Sequence, residues 1–90
     1  MGNIQVTIAR KEIRISGIHT HVFARFLTTE LLEIVMSKSR RVNVFFEGEP
    51  GPGGGGMDIK IVFDGELSDL EMNTVARFFK LKGANIKVVR

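Results

Sequence analysis

The sequence predicts one α+β domain, a two-layer sandwich whose elements run ββαββαβ, with both helices on one face of a mainly antiparallel sheet. Three observations carry this. Short segments of strict apolar alternation occur five times, two segments of helical periodicity stand between them, and the full chain of 90 residues is one domain long. Removing the first strand leaves βαββαβ, the split-βαβ or ferredoxin-like unit, so the expectation is that unit with an extra N-terminal strand. Its two strand–helix–strand halves each need a right-handed crossover, which returns both helices to the same face.

Ile4, Val6 and Ile8 alternate with Gln5 and Thr7, and Ile13 and Ile15 alternate with Arg14 and Ser16. The apolar parity switches across Arg10-Lys11. A two-residue loop there pairs Ile8 with Ile13 and Val6 with Ile15 on one face, although the turn lacks the Gly, Asn or Asp that a tight hairpin prefers. After Gly17 a helix is expected from Thr20 as N-cap to about Lys38, with Phe23, Phe26, Leu27, Leu31, Ile34 and Val35 on its core stripe. Val42, Val44 and Phe46 then alternate as a third strand. Two prolines and six glycines crowd residues 47–56, so a Gly/Pro-rich flexible hairpin loop is expected over 48–56.

Asp58 to Asp64 forms a fourth strand with Ile59, Ile61 and Phe63 on one side. Ser68 and Glu71 have the spacing of a capping box, in which hydroxyl and carboxylate each satisfy an orphan backbone donor. The second helix runs from there to about Lys82 and ends at Gly83, before a last strand with Ile86 and Val88 inward. The strand order is left open. In the split unit the last strand lies beside the unit's first strand, where the N-terminal hairpin also competes to pair.

Composition narrows the functional classes. At 43% hydrophobic and 26% charged the chain is ordinary globular material, and the absence of cysteine removes disulfides and thiolate metal sites. The opening residues alternate like a strand rather than a signal peptide, and no apolar run approaches the ~20 residues of a membrane span, which points to a cytoplasmic protein. The glycine run lacks the Lys and Ser/Thr of a phosphate-binding loop and is followed by Met57-Asp58. His19 and His21 point to different sides and have no third His or Cys, so no metal or other cofactor is expected. No serine has a Ser-His-Asp arrangement around it, and the chain is not expected to be an enzyme.

Two binding surfaces remain. The second helix carries a core stripe, Met72, Val75, Ala76 and Phe79, and a surplus stripe, Leu70, Phe78 and Leu81. The first helix adds Val22, Leu32 and Met36 away from its own core stripe. Surplus apolar surface on both helices points to a non-catalytic protein-interaction module, a homodimer formed through helix faces or the sheet. The alternative is the outward sheet face. Arg14, Lys60 and Lys87 come from three strands and share it with Phe45, the layout by which open sheets neutralise and stack single-stranded RNA.

Overall fold

A computed structural model describes residues 4–35, 41–49 and 56–89. Its order is β1(Gln5–Ile8), β2(Glu12–Ile18), α1(His21–Val35), β3(Val42–Glu49), β4(Gly56–Phe63), α2(Asp69–Leu81) and β5(Asn85–Val88). Five strands form one mixed sheet in the order β3-β4-β2-β1-β5. All pairs are antiparallel except β1 with β5. The competition around β2 is thereby resolved. The hairpin keeps β1 against β2, in the register Ile8↔Ile13 and Val6↔Ile15, and β5 moves one place outward to run parallel to β1. The extra strand is therefore inserted into the split-βαβ unit rather than appended to its edge.

Pairing across a two-residue loop costs the least closure entropy, which favours the hairpin over a pairing that spans the whole chain. The turn is also held from outside. Arg10 O accepts from Leu67 N at 2.7 Å and Lys11 O from Phe63 N at 2.9 Å. The Arg10 guanidinium donates to Leu67 O at 2.9 Å and to Asp69 Oδ1 at 2.5 Å. Tertiary partners thus supply what the turn's own residues lack.

The core lies between sheet and helices. Val6, Ile8, Ile13, Ile15, Ile59, Ile61 and Phe63 come from the strands, against Ala24, Leu27, Leu31 and Val35 of α1 and Met72, Val75 and Phe79 of α2. Thr20 caps α1, its hydroxyl accepting from Phe23 N at 3.1 Å. The buried stripe of α1 uses Ala24 where the periodicity predicts Phe26, which is half-exposed. A small residue lets the helix approach the sheet, and Phe26 turns toward α2. The predicted end of α1 near Lys38 lies outside the described residues. In α2, Glu71 N donates to Ser68 Oγ at 3.1 Å and Ser68 N to Glu71 Oε1 at 2.9 Å, completing the capping box. At its other end Gly83 N reaches Lys80 O and Ala84 N reaches Phe79 O, the reciprocal pair of a Schellman motif.

The strands of the β3–β4 hairpin extend into the segment expected to be loop. Gly48 and Glu49 pair with Met57 and Gly56, so only 50–55 of the expected 48–56 loop falls outside the described residues. Gly48 shows why glycine suits this stretch: its φ is +95°, and a Cβ there would sit 2.4 Å from Gly56 O. Gly48→Ala should therefore destabilise the domain by at least ~1 kcal/mol, since an L side chain at positive φ is strained and the clashing atom is backbone. Gly65→Ala, where a Cβ meets nothing within 4 Å, should be near neutral or slightly stabilising. Urea denaturation of the two variants side by side checks this, and equal losses would contradict it.

Candidate functional site

The open face of the sheet assembles the residues that sequence alternation assigned to it. Phe45 pairs with Lys60, Lys60 with Arg14, Arg14 with Thr7, and Thr7 with Lys87. Phe45, Lys60, Arg14 and Lys87 therefore lie in one row that crosses the strands from β3 to β5, with Thr7 completing it. The same alternation also brings Glu12, Glu47 and Asp58 to this face. These three acids stand among the bases of the face, Arg14, Lys60, Lys87 and, by the parity of β3, Arg41, so the face is charge-mixed. Glu12 bonds directly to Arg14 and approaches Lys60 Nζ at 3.7 Å. Such exposed pairs contribute little stability. Their effect is to divide the positive charge of the row.

A bulge in β2, where Ile15 faces Ile59 but Ile18 faces Met57, deforms the sheet beside this row. There the face dips into an open depression of about 320 Å³, lined by Gln5, Thr7, Arg14, Ser16, Glu47, Asp58 and Lys60. Its lining mixes both charges with neutral hydrogen-bonding groups. A shallower, more apolar depression of about 490 Å³ lies on the helix side of β3, between His21, Ala24, Arg25, Phe46 and Met57. Among the described residues, no three His, Cys, Asp or Glu side chains are grouped to hold a metal ion. No described helix is long and apolar enough to cross a membrane.

The helix residues expected to form an interface do not converge. Phe78 is half-buried, packed edge-on against Phe79 with ring centroids 5.0 Å apart. Lys82 closes the seam between the helices, with Nζ 4.8 Å from the Phe78 ring centre, 5.1 Å from that of Phe26 and 3.8 Å from Glu30 Oε2. The surplus stripe of α2 thus ends partly in an intramolecular contact, and Leu32 also packs against the core. Leu70, Leu81 and Val22 are exposed at 75%, 82% and 80%. Leu70 and Leu81 share a line along α2, eleven residues and roughly 16 Å apart, with Thr74 and Arg77 between them. Met36 lies outside the described residues.

The feature that the sequence reading passed over is the outer strand β3. It spans eight residues and forms one edge of the sheet, whereas the opposite edge, β5, has only four. Phe45 and Phe46 sit side by side on it, one on each face of the sheet, both 49% exposed. Between Val42 and Phe46 it carries no charge, no proline and no glycine. Natural sheets usually blunt a long edge with such residues, because it presents unpaired backbone groups. The sequence signal was available: in Val42-Asn43-Val44-Phe45-Phe46 both faces of the strand end on an aromatic, unlike the one-sided alternation of β1 or β2. Only the topology shows that this strand is at an edge.

Comparison of the chain with known protein families, curated proteins and solved structures finds no match. The seam between the helices yields its own expectation. Phe79→Ala, a truncation of a fully buried ring, should cost roughly 3–5 kcal/mol. Phe78→Ala, half-buried, should cost about half as much, and Leu70→Lys with Leu81→Lys should leave urea stability nearly unchanged. A loss for the leucine pair as large as that of Phe79→Ala would show that α2's outer face is covered within the folded chain.

Proposed function

We propose that this chain is a non-catalytic protein-interaction module that receives an extended strand of a protein partner along the edge of β3. The observation that carries the reading is the eight-residue edge bearing Phe45 and Phe46, half-exposed on opposite faces. Strand addition uses the two kinds of recognition such an edge offers. Backbone hydrogen bonds supply affinity, and alternate side chains above and below the sheet supply selectivity. Phe46 borders the apolar depression beside α1, and Phe45 opens the row across the free face, so both sides of an added strand meet a distinct surface. On this reading the interaction lies on the sheet edge instead of the helix faces.

A second reading, single-stranded RNA binding, is favoured by the alignment of Phe45, Lys60, Arg14 and Lys87 in one row. Against it stand Glu12, Glu47 and Asp58 on the same face and the single aromatic. Phosphate contacts would make binding fall steeply with salt. Titration of fluorescent oligonucleotides with the wild type and with Arg14→Glu/Lys60→Glu/Lys87→Glu separates the two. The first reading expects no salt-sensitive binding to be lost in the triple variant.

Strand addition is checked by selecting displayed random peptides on the wild-type domain. Selected peptides should alternate apolar residues and bind less than one-tenth as well to Phe46→Pro, which removes an edge N–H, than to Phe46→Ala, which removes only the ring. Urea unfolding establishes that both variants remain folded. Failure to enrich any peptide, or equal binding to both variants, would rule the reading out.

A further inference from the structure

Building on the strand-addition reading, we infer that the partner at β3 is a second copy of this chain, paired antiparallel about a two-fold axis through Val44. Asp64 N donates to Arg41 O at 3.2 Å, and Phe63 N turns the other way, to Lys11 O at 2.9 Å. Arg41 and, by antiparallel alternation, Asn43, Phe45 and Glu47 therefore direct their backbone groups at β4. Val42, Val44 and Phe46 direct theirs at the free edge. Their N–H and C=O groups are the ones a second strand would take.

Joining two sheets into one with all helices on the same side requires residues of equal parity to face each other. Centred on Val44, the register meets that condition. Val44 exchanges both hydrogen bonds with the second copy's Val44, and Val42 does so with Phe46 at either end. On the helix face the partners are Val42 with Phe46 and Val44 with Val44, apolar throughout. On the open face Asn43 meets Phe45, and Arg41 stands opposite Glu47, once at each end of the pairing. Both of these charged residues are exposed in the single chain. The edge is thus complementary to itself in charge as well as in backbone groups. Gly48, at positive φ, follows Glu47, so the charged pairs stand just before the point where the backbone of β3 departs from regular strand conformation. The four-residue, parallel-paired β5 has no equivalent self-complementary edge.

The chain contains no cysteine, so single introduced thiols report the register directly. Asn43 and Phe45 of opposing copies would form a pair without mutual hydrogen bonds, whose Cα atoms approach to ~4.5 Å, within disulfide range. Asn43→Cys mixed with Phe45→Cys in a glutathione redox buffer should give a disulfide-linked dimer on a non-reducing gel. Neither variant alone should link, because two residues of stagger separate identical positions by more than about 7 Å. Sedimentation should show that the wild type self-associates, that Arg41→Glu weakens this at least tenfold, and that Arg41→Glu with Glu47→Arg restores it. Equal linking of all thiol combinations, self-linking of Phe45→Cys, or a wild type that stays monomeric at hundreds of micromolar would overturn the proposal. If those results came while selected peptides still bound at Phe46, the self-pairing alone would fall. If peptide binding were lost too, the strand-addition reading would fall with it.

Discussion

The pairing of β1 with β2 is the contact on which the rest of the molecule depends. Ile8 opposite Ile13 and Val6 opposite Ile15 put four fully buried side chains at the centre of the helix-facing layer. Because β1 occupies the place beside β2, β5 must lie one strand further out, and α2 must cross both β2 and β1 to deliver it. The long crossover lays α2 over β1 and β5, while α1 covers the β2 side. Everything that the helices bury follows from that division of the sheet. Arg10 ties the hairpin turn to Leu67 and Asp69 at the start of α2, so the same contact also positions the second helix.

The division also determines what stays uncovered. α1 returns the chain to β3, which pairs with β4 on one side and, among the described residues, has no strand on the other. Edge strands expose backbone groups whose hydrogen bonds must be met by water or by another chain. Here the edge is long, uncharged in its middle and carries an aromatic on each face. The open face behaves differently. It is rich in charge, but Glu12 holds Arg14 and Lys60, and the cup beside them contains acids as well as bases. A mixed face of this kind stays solvated at little cost, whereas half-exposed phenylalanines on a strand paired along one side only gain from being covered. That contrast is why the edge, rather than the face or the helix exteriors, carries the functional proposal.

The helices show how an apolar surplus can mislead when counted on a wheel. Phe78 falls outside the core stripe of α2 and looks available for a partner. In the folded chain it leans on Phe79 and sits under the Lys82 ammonium, which also approaches Phe26 and Glu30 of α1. Lys82, its side chain mostly buried, seals the seam by setting its ammonium over both rings and near the Glu30 carboxylate. Helix wheels assign directions, but they do not say what stands in those directions.

Periodicity and local chemistry alone determined the element order, the hairpin register, the capping box at Ser68, the stop at Gly83 and most of the core, but not Ile18, Ala24, Met57 or Leu67. These are short-range or two-sided properties: alternation names a buried face, and a cap satisfies donors within one turn of its own helix. Alternation also placed Phe45, Lys60, Arg14 and Lys87 on a common face, since parity needs no knowledge of neighbours. Only the tertiary structure decided that they form a single row and that Glu12 bonds to Arg14 and approaches Lys60 from the neighbouring strand. It alone inserted β1 between β2 and β5, turned Phe26 outward in favour of Ala24, and left β3 at the rim. Strand order, charge balance across strands and edge status depend on which segments become neighbours. That choice is made by the competition between loop-closure entropy and burial over the whole chain, and no local window of sequence contains it.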